Sequence, residues 1–212
     1  LHVNLNWLFG VLDKRILASL IVAAFLAACS SQPASIQATD EIIAETAYRA
    51  PGPTTMTLIT MINNGTQSGA HTALMINGSQ RVIFDPAGSF RNERVPRRDD
   101  VLYGIHPAVL VAYKGAHARS EYHIVLQTVE VRPEVVEQAI RLAIARGSVG
   151  DAQCAASTIA LLKQLDGFSQ MSSTLFPKRL MNNFATLPGV QTEKYYEDDE
   201  GTILDGIAKV QL

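Results

Sequence analysis

Cysteine is scarce, with two in 212 residues, which leaves room for one disulfide at most and excludes a framework of bridges. Charge of one sign is missing too. Eighteen Lys and Arg against 20 Asp and Glu give a formal net charge of −2, with no basic cluster, which excludes the electrostatic footprint of a nucleic-acid binder. No Cys or His spacing suits zinc, and no glycine-rich loop is built to cradle phosphate, so neither metal nor cofactor is implied. There is no internal repeat and no low-complexity block. The apolar run from Ile16 to Ala28 is thirteen residues long, with Ser19 its one polar member. A membrane span takes about 20, so this run is too short to be one.

That run has the length and flanks of a secretory signal peptide core, with Lys14 and Arg15 before it and Cys29 directly after. Its end, Leu26-Ala27-Ala28-Cys29, resembles the lipobox of bacterial lipoproteins. The resemblance implies cleavage before Cys29, acylation of that residue, and a mature chain lying beyond the inner membrane. An ordinary signal peptide with a chance cysteine at the cut is the competing reading. Ser30 and Ser31 follow, with no Asp, which by resemblance to enterobacterial sorting points to the periplasmic face of the outer membrane rather than the inner membrane. Residue 1 is Leu, so a start elsewhere or at a non-standard codon is expected.

Residues 1–28 thus read as a lipoprotein signal peptide and residues 29–53 as a lipidated N-terminus and flexible tether. The tether is rich in Ser, Gln, Ala, Thr and Pro, with an apolar patch at Ile42-Ile43. Residues 54–212 are long enough for one domain with a real core. Runs at 54–62, 70–76, 81–85, 108–114 and 122–131 read as strands, with Asn63-Asn64-Gly65 and Asn77-Gly78 as turns. Residues 90–100 read as a polar loop whose Arg91, Arg94, Arg97 and Arg98 form a solvated face. After Pro133 the apolar period changes: Val135, Val136, Ala139, Ile140, Ala143 and Ile144 form a helical stripe closed by Gly147. A second helix begins near Asp151, a third covers 176–184, and 191–195 reads as a last strand. The expected class is α+β, an antiparallel sheet followed by packed helices.

If Cys29 carries lipid, Cys154 is the remaining thiol, either an inert small hydrophobe or a reactive group. Its position favours reactivity. It lies in the first turn of the second helix, three residues after a possible N-cap at Asp151, where free N–H groups and the dipole favour a thiolate. The same N–H groups can help form an oxyanion hole. Cysteine catalysis also needs an imidazole and a group to orient it. His71 lies within the second strand, and Asp85 ends the next. Strand parity tests the pair. A two-residue Asn77-Gly78 turn would put His71 and Asp85 on opposite faces, whereas a three-residue loop, Asn77 to Ser79, would place them directly across from each other, so the pair predicts an odd-length loop or a bulge. The other histidines read as surface or internally satisfied groups: His106 in a loop, His117 in a polar turn, His123 at a strand start.

The stretches His71-Thr72-Ala73-Leu74-Met75-Ile76, Val82-Ile83-Phe84-Asp85 and Asp151-Ala152-Gln153-Cys154-Ala155-Ala156-Ser157 together resemble the circularly permuted NlpC/P60 hydrolases. These are papain-like thiol hydrolases that include the lecithin:retinol-acyltransferase-like proteins. The resemblance spans about residues 55 to 195 and rests on the order of elements. It implies a permuted papain-like architecture with Cys154 as nucleophile, His71 as base and Asp85 as orienter. Two residues depart from the pattern: Gln153 stands where Asn is expected, and the third member is an aspartate rather than His, Asn or Gln.

The function expected is an envelope lipoprotein whose cysteine hydrolase, amidase or acyltransferase domain acts on an amide or ester. Cell-wall stem peptides and acyl compounds are the candidate substrates, and the lipid on Cys29 makes the membrane a partner. The alternative is a catalytically inactive domain of the same fold that binds cell wall or a protein. A structural lipoprotein with a buried Cys154 far from His71 is a third possibility.

Overall fold

The computed structural model describes residues 37–201 and 205–206. The signal-peptide and lipidation readings, with Cys29, fall outside the described residues. Among the described residues five helices and seven strands follow one another from α1 (Asp40–Glu45) to β7 (Gln191–Tyr195). The chain is α+β, with all seven strands in one antiparallel sheet of order β4-β5-β3-β2-β1-β6-β7.

β1 (Thr55–Asn63) lies near the middle, paired with β2 (Gly69–Asn77) and β6 (Tyr122–Glu130). Its residues Met56 to Ile62 are all buried, which explains why this stretch shows no polar alternation: both faces of the sheet are covered. On one face Met56, Leu58, Leu74 and Ile76 meet α3 (Pro133–Arg146), α4 (Cys154–Leu162) and α5 (Pro177–Phe184). On the other, Ile59, Ala73, Met75 and Ile83 meet α2 (Pro107–His117) and Phe90. β3 (Arg81–Phe84) and the short β5 (Val101–Leu102) and β4 (Arg97–Arg98) extend the sheet beyond β2. Among the described residues no helix is long and apolar enough to cross a membrane.

Three segments differ from the sequence reading. Residues 108–114, expected as a strand, lie within α2. Their β-branched composition suggested a strand, but the buried residues Val109, Tyr113, Ala116 and His117 recur at helical spacing behind Pro107 at the first turn. Arg97, expected in a solvated face, is buried in β4 and paired with Asp100 at 2.8 Å. A guanidinium left in that position without a carboxylate would be costly, so the pair is structural. Residues 37–53, read as part of a tether, lie against the domain. Ala38 donates its N–H to the Arg97 carbonyl at 2.8 Å, Arg98 binds Asp40 at 2.7 Å, and Ala50 N–H donates to Asn77 Oδ1 at 3.0 Å. Thr39 caps α1, which seats Ile43 against the core.

Candidate active site

The hairpin between β2 and β3 settles the parity question. Asn77 pairs with Arg81, so the connecting loop is Gly78-Ser79-Gln80, three residues long, and the ladder runs back to Leu74↔Phe84. An odd loop puts His71 and Asp85 on the same face, but this register makes them diagonal neighbours rather than direct partners. A register irregularity in the β1–β2 pairing falls beside His71: Met61 pairs with His71 and Ile62 with Gly69, which leaves Ala70 as the bulged residue. The imidazole reaches along the diagonal. His71 Nε2–H donates to Asp85 Oδ1 at 2.7 Å.

Asp85 is fully buried. The same Oδ1 also accepts the Tyr113 hydroxyl at 3.0 Å. Tyr113 and His117 sit one turn apart on the buried side of α2. His117 Nδ1–H donates to the Tyr113 carbonyl at 2.7 Å, and its ring lies almost parallel to that of His71, 7° apart with centroids 6.3 Å apart. Neither residue was singled out from sequence as part of a site. Reading 108–114 as a strand hid the i, i+4 relation that puts Val109, Tyr113 and His117 on one side of a helix.

Gly88 completes the carboxylate's surroundings. A Cβ there would stand 1.9 Å from Asp85 Oδ2, too close for any side chain, so only glycine lets the backbone lie against the carboxylate. We expect Gly88→Ala to push the Asp85 segment away from His71. The cost is about 1–3 kcal/mol, as for other overpacked interiors, and is read as a lowered midpoint of thermal unfolding. An unchanged midpoint would show that the loop yields freely.

Cys154 arrives from the opposite face of the sheet. It is the first residue of α4, and the residue before it, Gln153, occupies the N-cap position without a side-chain cap bond. Asp151 is therefore not the cap. It is exposed, and the chain instead turns through Ala152 in a left-handed conformation, φ 60°, to enter the helix. Asp100 ties the entrance down: its Oδ2 accepts from Val149 N–H at 3.0 Å and Ala87 N–H at 3.2 Å, Oδ1 takes Arg97, and its carbonyl accepts Asp85 N–H at 2.7 Å. One buried residue thus joins the segment carrying Asp85 to the segment leading into Cys154. The Cys154 sulfur interacts with the His71 imidazole and receives the N–H groups of Thr72 and Ala155. With Nε2 given to Asp85, the His71 nitrogen left for sulfur is Nδ1.

Compared with family models, with curated proteins and with solved structures, the chain finds no match.

The electrostatics follow from this geometry. Burial works against a charge on His71, but its hydrogen bonds to Asp85 and Cys154 outweigh burial and hold the imidazolium up to about 10. Burial likewise opposes ionisation of Asp85, yet the His71 hydrogen bond and charge bring the carboxyl down to about 2. Burial alone would raise the Cys154 thiol. The bond to His71, the positive charge there and the two N–H groups lower it instead. For His117 burial prevails over the Asp85 charge and the bond to the Tyr113 carbonyl and pushes it down to about 4, so a neutral ring lies beside a charged one. All three shifts run in the direction that favours a thiolate–imidazolium pair backed by a carboxylate. The pair is not sealed, since the His71 side chain keeps 15% of its surface. Tyr103 is buried in the core, and His123 is occupied by Asn64 Oδ1 at 2.7 Å. Among the described residues no group of three or more His, Cys, Asp or Glu could hold a metal ion.

Proposed function

We propose that the chain is a cysteine-dependent hydrolase or acyltransferase acting on an amide or ester, with Cys154 as nucleophile, His71 as acid and base, and Asp85 as orienter. The observation that carries this reading is the unbroken series from Asp85 through His71 to Cys154, with the sulfur at a helix start and facing N–H donors. The thiolate attacks the carbonyl carbon, and the negative charge that collects on oxygen is met by N–H groups at the start of α4. Imidazolium Nδ1–H protonates the leaving amine or alcohol as the bond to it breaks, leaving a thioester on Cys154. The neutral imidazole then takes a proton from water or another acceptor. That acceptor attacks the thioester, the C–S bond breaks, and the thiolate returns.

The permuted papain-like architecture of the NlpC/P60 hydrolases belongs to the same proposal. It is supported by the order of a histidine strand, a carboxylate at the end of the next strand and then a cysteine helix. The lipid on Cys29, the outer-membrane location and cell-wall peptide or acyl substrates complete it. A catalytically inactive domain that binds cell wall or a protein is the second reading, favoured by the 7% exposure of Cys154. Intact-mass analysis after incubation with an activated ester, and separately with stem-peptide amides, distinguishes them. A thioester adduct that maps to Cys154 and is absent from Cys154→Ser is expected. No adduct with either substrate would leave the binding reading.

A further inference from the structure

Leu175 and Phe176 stand in water side by side, 68% and 57% exposed, at the tip of the turn that leads into α5. Contiguous apolar surface rimmed by polar groups is the composition of contact sites. The turn is not a loose one. Phe176 N–H donates to Thr174 Oγ1 at 3.1 Å, and Pro177 opens the helix. The backbone at Lys178 presses so closely on Gly69 that a Cβ there would lie 2.5 Å from Lys178 N. Gly69 precedes His71 by two residues on β2, so the tip is fixed next to the histidine end of the candidate site. Its charge is of one sign. Residues 167–192 contain Lys178 and Arg179 but no Asp or Glu, and the Arg179 guanidinium lies over the Phe176 ring, 5.1 Å from its centroid. The Lys178 ammonium is held by the Gln67 carbonyl.

We propose that this tip docks on a bilayer containing anionic lipids, with Leu175 and Phe176 entering the acyl boundary and Lys178 and Arg179 lying at the level of the phosphates. Apolar groups flanked by cations are the composition that lipid surfaces with negative headgroups select. A second copy of the chain fits less well, because a two-fold contact would bring the same cations together. Two apolar side chains and two cations hold a surface weakly, so the contact is reversible and depends on the domain being kept near the membrane. The packed N-terminal segment serves that end: Ala38 is bonded to β4, nine residues from Cys29, a reach of at most about 30 Å. Docking would turn the His71 end of β2 toward the lipid. The proposal does not depend on Cys154 being reactive.

The test uses the acylated chain from Cys29 onward, anchored in vesicles of phosphatidylcholine with and without phosphatidylglycerol, some of the lipid being dibrominated. The one tryptophan of the sequence, Trp7, precedes Cys29, so the chain tested has none of its own. A reporter is then introduced by Phe176→Trp, with Leu175→Trp as a second position should the first disturb folding. Val111→Trp supplies a reference on α2, at an exposed site on a helix covering the other face of the sheet. On anionic vesicles the reporter at 176 or 175 is expected to shift to the blue and to be quenched by bromines at least about threefold more than the reference. Adding Lys178→Glu and Arg179→Glu should remove most of that difference. Equal quenching at 111 and 176, or none at 176, overturns the proposal. A blue-shifted reporter in the absence of vesicles would also overturn it, by showing that the tip is covered by protein.

Discussion

Iodoacetamide is expected to alkylate Cys154 in the folded protein at neutral pH, with a rate that rises through a titration below the ordinary thiol range. Alkylation needs the thiolate, and both His71 and the N–H groups of Thr72 and Ala155 stabilise it against burial. His71→Ala removes the largest of these supports and leaves burial in place. The titration should then move upward, and the rate at pH 7 should fall tenfold for each unit it moves. Turnover and alkylation part company on the alkaline side. As pH passes about 10 His71 loses its proton, so the leaving group is no longer protonated while the thiolate persists. Mass-spectrometric alkylation rates set against pH, with turnover measured in parallel, decide the matter. A thiol that reacts only after denaturation, or a His71→Ala profile that overlies the wild type, would remove the catalytic pair.

Asp85→Asn is the second large effect. The substitution keeps the shape but removes the charge that fixes the His71 tautomer and supports its positive form, while Tyr113 O–H keeps an acceptor. The rate of thioester formation should fall by at least about 100-fold, as when the carboxylate of a catalytic triad is neutralised. Stability should fall by about 2 kcal/mol, the scale of a hydrogen bond to a charged group. The acid limb checks the cause. The folded carboxyl lies at about 2, below its ordinary 3.8, so its contribution is present above pH 3.8 and is lost as pH falls through 2. The wild type should therefore unfold at a higher temperature than Asp85→Asn above about pH 4, and the gap should close toward pH 2. A gap that persists at pH 2 would mean that the charge of Asp85 is not what the variant loses.

Much of the architecture could be read from local pattern because local pattern decided it. The runs that became β1, β2, β3, β6 and β7 are bounded by turn residues, and the helix after Pro133 carries its own apolar stripe and a closing Gly147. The odd loop that lets His71 meet Asp85 was inferable from parity, but its place was not. The three residues are Gly78 to Gln80, a shift of one from the expected loop, and the imidazole compensates by reaching along the diagonal. What stayed hidden lay in long-range contacts. The sequence 107–117 is β-branched enough to pass for a strand, but its helical spacing behind Pro107 packs against Ile59, Ala73 and Ile83 and brings Tyr113 and His117 to Asp85. Asp100 and Gly88 carry no motif at all. Their roles come from what lies opposite them across the fold.

The approach of imidazole and sulfur from opposite faces of one sheet bears on how the chain matures. His71 belongs to a central hairpin, whereas Cys154 comes 83 positions later on a helix that meets it only through packing on the sheet. A nascent or partly unfolded chain therefore holds two separate and unremarkable side chains. If the pair is reactive as proposed, a change in thiol labelling marks the moment at which β2 and α4 come together.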